Sequence, residues 1–291
     1  MHKLRSFTEV VKTYISGFNP VIPFNKNMDK LLLMDFTERN TELTNEILKD
    51  TALFSEYINT TLEKAKAKYG IGGYNEHRTI YSRSEIFGPC LTTIINIPDG
   101  AKAPSRWEGD EEREPLVEEE TVDYRYADPS LEKAKNKKGN FDLSSPTGGQ
   151  GASRTIHLGI DIWGVADTPV YAPMQATVHS FNFNNAFGDY GTTIILQHTI
   201  EDFYFHTLYG HLSLKSIENL KQGETIEKGQ WIGSFGEAEE NGHWPPHLHF
   251  QIVIDMQGMK GDYPGVCAFA EREKYLSNCP DPDLILGMMG Y

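Results

Sequence analysis

The stretch "GHWPPHLHFQ", residues 242–251, places His247 and His249 on either side of one leucine, directly after two prolines. The run continues as "IVID", and its apolar and β-branched residues predict a β-strand. Side chains two positions apart on a strand point to the same face, about 7 Å apart. His247 and His249 should therefore share a face. Paired imidazoles suit a metal site or acid–base catalysis, although two histidines in one strand also occur without a shared role.

A second motif, "HLGID" at residues 157–161, supplies a histidine and an aspartate. The surrounding isoleucines favour a strand rather than a helix. On a straight strand the Cα atoms of His157 and Asp161 would lie about 13 Å apart, too far to share one ion. Gly159 lies between them and can take a bend or bulge that closes this gap. A shared role therefore requires a kink near Gly159; otherwise the stretch is a strand with an exposed histidine and aspartate.

A third motif, "TLYGHLS" at residues 207–213, adds His211 near the end of another predicted strand. The ordered set H-x-x-x-D, Y-G-H-L and H-x-H resembles the lysostaphin/LytM-type zinc metallopeptidases. Further stretches carry the resemblance, namely "DIWGVADTPVYAPMQATV", "GETIEKGQWIGSFG" and "PPHLHFQI". The resemblance covers about residues 155 to 256.

The resemblance implies one zinc ion per chain, held by His157, Asp161 and His249, with His211 and His247 as unligated catalytic histidines. Three protein ligands leave a fourth position for water, as in catalytic zinc sites. Zinc would activate that water, and the two histidines would move protons and stabilise the oxyanion. The sequence contains no H-E-x-x-H motif and hence no glutamate base of that kind.

The implied activity is that of a zinc-dependent endopeptidase, with a peptidoglycan-type or other short peptide as substrate. Two other interpretations stay open. One is a catalytically silent zinc-binding or regulatory module of the same fold, and the other is a zinc hydrolase of a non-peptide amide.

Short β-rich runs separated by glycine-rich turns continue from residue 156 onwards, for example "GTTIILQHT" and "FYFHTLYGHL". They predict a compact antiparallel β-sandwich or barrel. The run "LKQGETIEKGQWIGSFG" predicts a hairpin. The expected fold class is mainly β with an N-terminal helical extension (α+β), and the resemblance implies a LytM-type core.

Residues 28 to 69 have the spacing of a helical pair, with Thr37 or Asn40 as N-cap and Gly70 as the stop signal. Residues 99–153 are acidic, then basic, then rich in glycine and serine, which predicts a charged, partly mobile excursion. We therefore divide the chain into residues 1–98, 99–153 and 154–291, the last being the metallopeptidase domain with its tail.

Some members of the family use a tyrosine shortly before the first zinc-ligand histidine to bind the oxyanion. The corresponding stretch here, "GGQGASRTI", contains none. Tyr74 and Tyr81, in "YGIGGYNEHRTIYSRSEIF", are the candidates to replace it.

The same segment is predicted to border or cover the metal groove behind its glycine pair. Asn75 or His77 would occupy the open zinc position and keep the enzyme latent. Alternatively, Arg78 or Tyr81 would bind a substrate carboxylate or an oxyanion. The competing interpretation is a simple linker with strand residues at Ile80, Tyr81, Ile86 and Phe87.

The net charge of −14 argues against nucleic acid or anionic membranes as partners, because both are polyanions. No run approaches the roughly 18 apolar residues needed to span a bilayer, and the N-terminus lacks the apolar core of a signal peptide. The three cysteines have no C-x-x-C spacing, which fits a reducing compartment. The sequence thus predicts a cytoplasmic protein with a peptide substrate, and it does not indicate an oligomeric state.

Overall fold

The computed structural model of the protein describes residues 6–84 and 154–289. The charged excursion predicted at residues 99–153 lies outside the described residues. The division of the chain into three segments stays a prediction.

Short helices lie at both ends of the described chain, and strands fill most of its second part. The helices are α1 (Phe7–Tyr14), α2 (Asn45–Lys49), α3 (Thr51–Ala65), α4 (Arg272–Asn278) and α5 (Asp283–Leu286). The strands are β1 (Leu31–Leu33), β2 (Tyr69–Gly72), β3 (Arg154–His157), β4 (Ile160–Trp163), β5 (Pro169–Tyr171), β6 (Ala176–Asn184), β7 (Gly191–Ile200), β8 (Phe203–Leu212), β9 (Thr225–Ile226), β10 (Trp231–Ser234), β11 (His247–Val253) and β12 (Val266–Ala268). None of the described helices has the length and apolar character to cross a membrane.

One large open sheet organises the fold. Its eight strands lie in the order β1-β2-β4-β11-β8-β7-β6-β9, and two smaller pairs, β10-β5 and β12-β3, accompany it. The mainly β prediction is confirmed, but the barrel alternative is wrong because β1 and β9 form separate edges. The sheet is also not purely antiparallel, since β1 pairs with β2 in parallel.

The hairpin predicted in "LKQGETIEKGQWIGSFG" is wrong. β9 pairs with β6 in the large sheet, whereas β10 pairs with β5 in a small one. Both strands nevertheless bury an isoleucine, Ile226 and Ile232, in the same apolar core. The glycine-rich turn between them therefore carries the chain from one sheet to the other, and each strand is stabilised by a different partner.

The N-terminal segment contains less helix than its spacing predicts. Residues 31–33 form an edge strand, and the helices begin later, after Thr44 and Asp50 rather than after Thr37 or Asn40. The carboxylate of Asp50 caps α3 by accepting hydrogen bonds from the backbone of two following residues. These caps satisfy backbone donors that would otherwise lack partners.

Gly70 is not the helix stop that the sequence suggests. Helix α3 ends at Lys66 in the left-handed region, with φ of 52°. Gly70 lies in β2, where an added Cβ would come within 2.7 Å of the Met34 side chain. The glycine is therefore needed for close packing inside the sheet rather than for a helix end.

The N-terminal segment is built into the same sheet as the strands that carry the histidine motifs. β2 pairs with β4, and Gly72 lies opposite Asp161 in their register. Helix α3 covers this part of the sheet, and its Phe54 packs against Phe36 and Trp163 in a buried apolar cluster. The segment thus lies directly against the strand that carries Asp161.

We expect Phe54→Ala to lower the free energy of unfolding by about 3–5 kcal/mol, because it leaves a cavity in this cluster. Phe54 is 0% exposed, whereas its neighbour Leu53 is 37% exposed. Leu53→Ala is therefore the matched control, with an expected loss of about 1 kcal/mol or less. Chemical denaturation of the full chain measures both values. Equal stabilities of the two variants would contradict the packing of α3 on the sheet.

Candidate active site

The three residues of the predicted ligand set come from three strands, of which β4 and β11 are neighbours in the large sheet and β3 pairs with β12. His157 ends β3, Asp161 lies in β4, and His249 lies opposite Asp161 in the antiparallel pairing of β11 with β4. The strand is interrupted between His157 and Ile160, at the position of the kink expected near Gly159. A Cβ at Gly159 would lie 2.5 Å from the His249 ring and 2.8 Å from the Phe250 carbonyl oxygen. Only glycine allows this approach without displacing a ligand.

The donor atoms of these residues form a compact triangle. His157 Nε2 lies 3.0 Å from His249 Nδ1 and 3.2 Å from Asp161 Oδ1, and His249 Nδ1 lies 3.1 Å from Asp161 Oδ1. Tetrahedral zinc with bonds of about 2.0–2.1 Å separates its donor atoms by about 3.3 Å. Two imidazole nitrogens and one carboxylate oxygen are also a donor set that zinc accepts. The three residues therefore fit one zinc ion.

Neighbouring groups fix which ring nitrogen of each histidine faces the centre. His157 Nδ1 lies 3.2 Å from the carbonyl oxygen of Gly73, which can only accept, so Nδ1 carries the proton. His249 Nε2 donates to Gln251 Oε1 at 2.9 Å, and the Gln251 amide nitrogen donates to the Pro264 carbonyl. The lone pairs of His157 Nε2 and His249 Nδ1 are thereby directed at the centre.

Gln251 and Tyr190 contact His249 but were not identified from the sequence. Gln251 stands two residues after His249, on the same face of the strand, and this polar position is the signal that the sequence offers. The Tyr190 hydroxyl lies 3.4 Å from His249 Nε2, the nitrogen turned away from the triangle. Tyr190 lies in "NNAFGDYG", a stretch whose sequence predicts only a turn. No local pattern therefore predicts its contact with His249.

The second pair of histidines lies beside the triangle. The rings of His211 and His247 stack with centroids 4.0 Å apart, and His247 also stacks on Trp163 at 3.9 Å. His211 Nδ1 donates to the Asn241 carbonyl at 2.7 Å, and His247 Nδ1 donates to the Pro245 carbonyl at 2.8 Å. Each ring therefore keeps an unprotonated Nε2 for chemistry.

His211 has an unusual backbone conformation, with φ of 63°. It lies at a register shift of β8 against β7, where the pairing passes from Thr192 opposite Leu212 to Ile194 opposite Tyr209. Such bulges redirect a side chain, and left-handed backbone at a non-glycine residue is a strain typical of functional sites. The distortion of β8 therefore directs His211 towards the cavity beside the triangle.

The protonation states of these groups suit metal binding. Burial, together with the Arg78 charge, lowers the pKa of His157 to about 3, and burial lowers the pKa of His247 to about 4. Burial also holds the pKa of His211 well below its usual value. Burial alone would raise the pKa of Asp161, but the neighbouring His157 and Arg78 hold it well below its ordinary value. His157 is thus neutral and Asp161 is ionised at neutral pH, as ligation requires. His211 and His247 are neutral as well.

A small cavity connects Asp161 and His249 of the triangle with His211 and His247. Its volume of about 20 Å³ is enough for about one water molecule. The wall consists of aromatic and imidazole side chains together with a few small residues. Among its residues are Ile80, Tyr81, Asp161, Trp163, Tyr190, His211, Trp244, His247 and His249.

The N-terminal stretch borders this cavity through only some of the candidate residues. Arg78 makes an ion pair with Asp161, and Tyr81 lines the cavity. Tyr74 instead donates to the Cys279 carbonyl, and Asn75 accepts from Arg272 at 2.6 Å. The structure does not bring Tyr74 or Asn75 to the triangle.

His77 is exposed and its backbone bridges to Ile156, so it does not line the cavity either. In place of the strand expected at Ile80 and Tyr81 there is a short 3₁₀-helix, Ile80–Arg83, and Ile86 and Phe87 lie outside the described residues. This turn directs Tyr81 inward, where its ring centroid lies 6.1 Å from that of His157.

Comparison with known families supports the resemblance drawn from the motifs. Residues 155–261 match the model of peptidase family M23. The resemblance to LytM-type peptidases is thereby confirmed for this part of the chain. A search of curated protein sequences returned no significant match.

Several solved structures are similar to this chain. The catalytic domain of the antimicrobial peptidase lysostaphin from Staphylococcus simulans is 27% identical over 46% of this chain and 80% of that domain, with a TM-score of 0.32. A zinc-containing peptidase from Vibrio cholerae is 25% identical over 38% of this chain and 30% of that longer one, with a TM-score of 0.28. The catalytic domain of a mutant of the prophage-encoded M23 protein EnpA from Enterococcus faecalis is 21% identical over 42% of this chain and 83% of that one, with a TM-score of 0.29.

The triangle predicts the metal content of two variants. We expect the wild-type chain to bind one zinc ion per chain and His249→Ala to lose it, because only two donors remain. His211→Ala should retain it, because His211 lies outside the triangle. Elemental analysis after dialysis measures the stoichiometry. Full zinc occupancy in His249→Ala would contradict the ligand assignment.

Proposed function

We propose that the protein is a zinc-dependent metalloendopeptidase that hydrolyses an amide bond of a peptide. One observation carries the proposal, namely that Asp161 and His249 of the ligand triangle border the same cavity as His211 and His247. The match of residues 155–261 to a peptidase family supports the same reaction.

His157, Asp161 and His249 would hold one zinc ion per chain. When bound there, zinc would supply Lewis-acid chemistry by lowering the pKa of a water molecule towards about 7 and polarising the scissile carbonyl. Gly73 and Gln251 hold the two histidine ligands in the required tautomers. Their hydrogen bonds keep the triangle ordered before substrate arrives.

His211 and His247 are assigned the proton transfers. Each is neutral because of burial, and each keeps Nε2 free because Nδ1 donates to a backbone carbonyl. One of them accepts the proton of the attacking water, and the pair returns a proton to the leaving amine. Tyr81 is assigned a hydrogen bond to the developing oxyanion, since burial raises its pKa and keeps its phenol protonated.

The proposed substrate is a short peptide, of peptidoglycan type or another kind. The cytoplasmic location inferred from the sequence would favour released peptides over the intact wall, and it stays part of this proposal. A catalytically silent zinc-binding module is the second candidate. The small cavity favours it, because about 20 Å³ does not admit a peptide unless Ile80 and Tyr81 move.

Turnover by the metal-loaded protein distinguishes these two functions. We expect the protein to cleave at least one member of a panel of wall-derived and ordinary peptides. Mass spectrometry of the products detects the cleavage. His211→Ala should keep its zinc and lose at least about 100-fold in turnover, the usual contribution of a proton-transfer group.

His179→Ala is the matched control, because His179 lies half-buried on β6, outside the cavity. It should cleave as fast as the wild-type chain. Absence of cleavage across the panel by zinc-loaded wild-type protein would favour the silent module. Cleavage that persists at the wild-type rate in His211→Ala would refute the assignment of His211.

A further inference from the structure

The two oxygens of Asp161 have different partners. Oδ1 belongs to the ligand triangle, at 3.2 Å from His157 Nε2 and 3.1 Å from His249 Nδ1. Oδ2 accepts a hydrogen bond from Arg78 Nη1 on the opposite side. One carboxylate thus faces the metal centre with one oxygen and a guanidinium with the other.

Arg78 is held in place by several contacts and reaches no solvent. Its side chain is 0% exposed. Nε donates to Glu76 at 2.8 Å, Nη2 lies 3.4 Å from the Gly73 carbonyl, and the guanidinium lies over the Phe36 ring. Such a charge is tolerated in the interior only because carboxylates on both sides pair with it.

Gly72 provides the space that Arg78 occupies. A Cβ at Gly72 would lie 2.1 Å from Arg78 Nη2. Gly72 also lies opposite Asp161 in the pairing of β2 with β4, so the guanidinium passes beside the strand that carries its partner. The pairing of β2 with β4 and the lack of a side chain at Gly72 together leave space for the Arg78 side chain beside Asp161.

These contacts leave no role for Arg78 in binding a substrate carboxylate, which was one expectation from the sequence. The guanidinium nitrogens are directed at Glu76, Asp161, Tyr81 and Gly73, and the side chain has no exposed surface. Arg78 therefore acts on the ligand and not on the substrate.

We propose that Arg78 is a positioning residue that holds Asp161 as a one-oxygen ligand of the metal. The inference rests on the proposed function of the triangle as a zinc site. A carboxylate with both oxygens free can rotate and bind a metal through both, which raises the coordination number. The bond from Arg78 to Oδ2 prevents this and preserves the position needed by water and substrate. Glu76 balances the arginine charge, so that a cation is not repelled from the centre.

The metal centre is accordingly completed by a segment that lies outside the matched residues 155–261. The family motifs supply the ligands, whereas β2 and the turn after it supply the group that orients one of them. This gives the N-terminal segment a specific task in the site, beyond covering the sheet.

The first test uses the full chain and the Arg78→Met variant, with zinc affinity measured by competition against a chromogenic chelator. We expect the variant to bind zinc about 10- to 100-fold more weakly, the usual effect of losing a group that orients a ligand. The visible spectrum of the Co²⁺-loaded variant should also weaken, because d–d bands lose intensity when coordination rises above four. Arg272→Met, which removes an arginine that contacts the same segment through Asn75, is the control and should match the wild-type chain.

A second pair of variants perturbs Arg78 without replacing it. Gly72→Ala should displace the guanidinium and weaken zinc binding in the same direction. Gly17→Ala is its control, because a Cβ there meets nothing within 4 Å and Gly17 lies outside the site. This pair carries the test if Arg78→Met does not fold, as judged by circular dichroism.

The outcomes distinguish an error in the role of Arg78 from an error in the zinc site. If the folded Arg78→Met or Gly72→Ala variant binds zinc with wild-type affinity and gives the wild-type Co²⁺ spectrum, the positioning role is wrong while the zinc site stands. If the wild-type chain itself binds neither zinc nor Co²⁺, the proposed function fails together with the inference.

Discussion

The approach of His157 Nε2, His249 Nδ1 and Asp161 Oδ1 to within 3.0–3.2 Å of one another depends on the pairing of β4 with β11. Three atoms with lone pairs directed at one point repel each other unless a cation lies between them. All three residues are also buried, which makes unbalanced polar groups expensive. The surrounding structure has to hold these atoms in place, and much of its detail serves that purpose.

The supporting groups come from both parts of the described chain. The Gly73 carbonyl and the Gln251 side-chain oxygen each accept a hydrogen bond from one ligand histidine, and Arg78 donates to the distal oxygen of Asp161. Two of these three groups belong to the N-terminal segment, which joins the sheet through β2. The insertion of β2 beside β4 therefore links the packing of the N-terminal helices to the geometry of the ligands.

Much of the ligand and catalytic set follows from short sequence motifs. The alternation of His247 and His249 on a strand and the break at Gly159 are local properties, and the structure has both. The strands β7, β8 and β11 were also evident, because their apolar and β-branched runs match the strand period. Helix α1 begins with a capping box of Ser6 and Glu9, whose S-x-x-E spacing is a local signal of a helix start.

The remaining features depend on contacts between distant parts of the chain. β9 pairs with β6 and β10 pairs with β5, and both partners are distant in sequence. Local sequence patterns do not predict such pairings. The role of Arg78 depends on its contact with Asp161, which is 83 positions away in the chain. Helix and strand periodicity relate only residues a few positions apart, so they do not predict this contact. The contact of Tyr190 with His249 likewise joins residues 59 positions apart in the chain. Local propensity therefore predicted the elements and motifs but not the groups that orient the ligands.

The central claim is that one zinc ion is held by His157, His249 and a single oxygen of Asp161. X-ray absorption of the zinc-loaded full chain at the zinc edge tests it most directly. The account predicts four light donor atoms at about 2.0–2.1 Å, with the outer-shell scattering of two imidazole rings. A sulfur shell at about 2.3 Å, or scattering that lacks imidazole contributions, would contradict the ligand set.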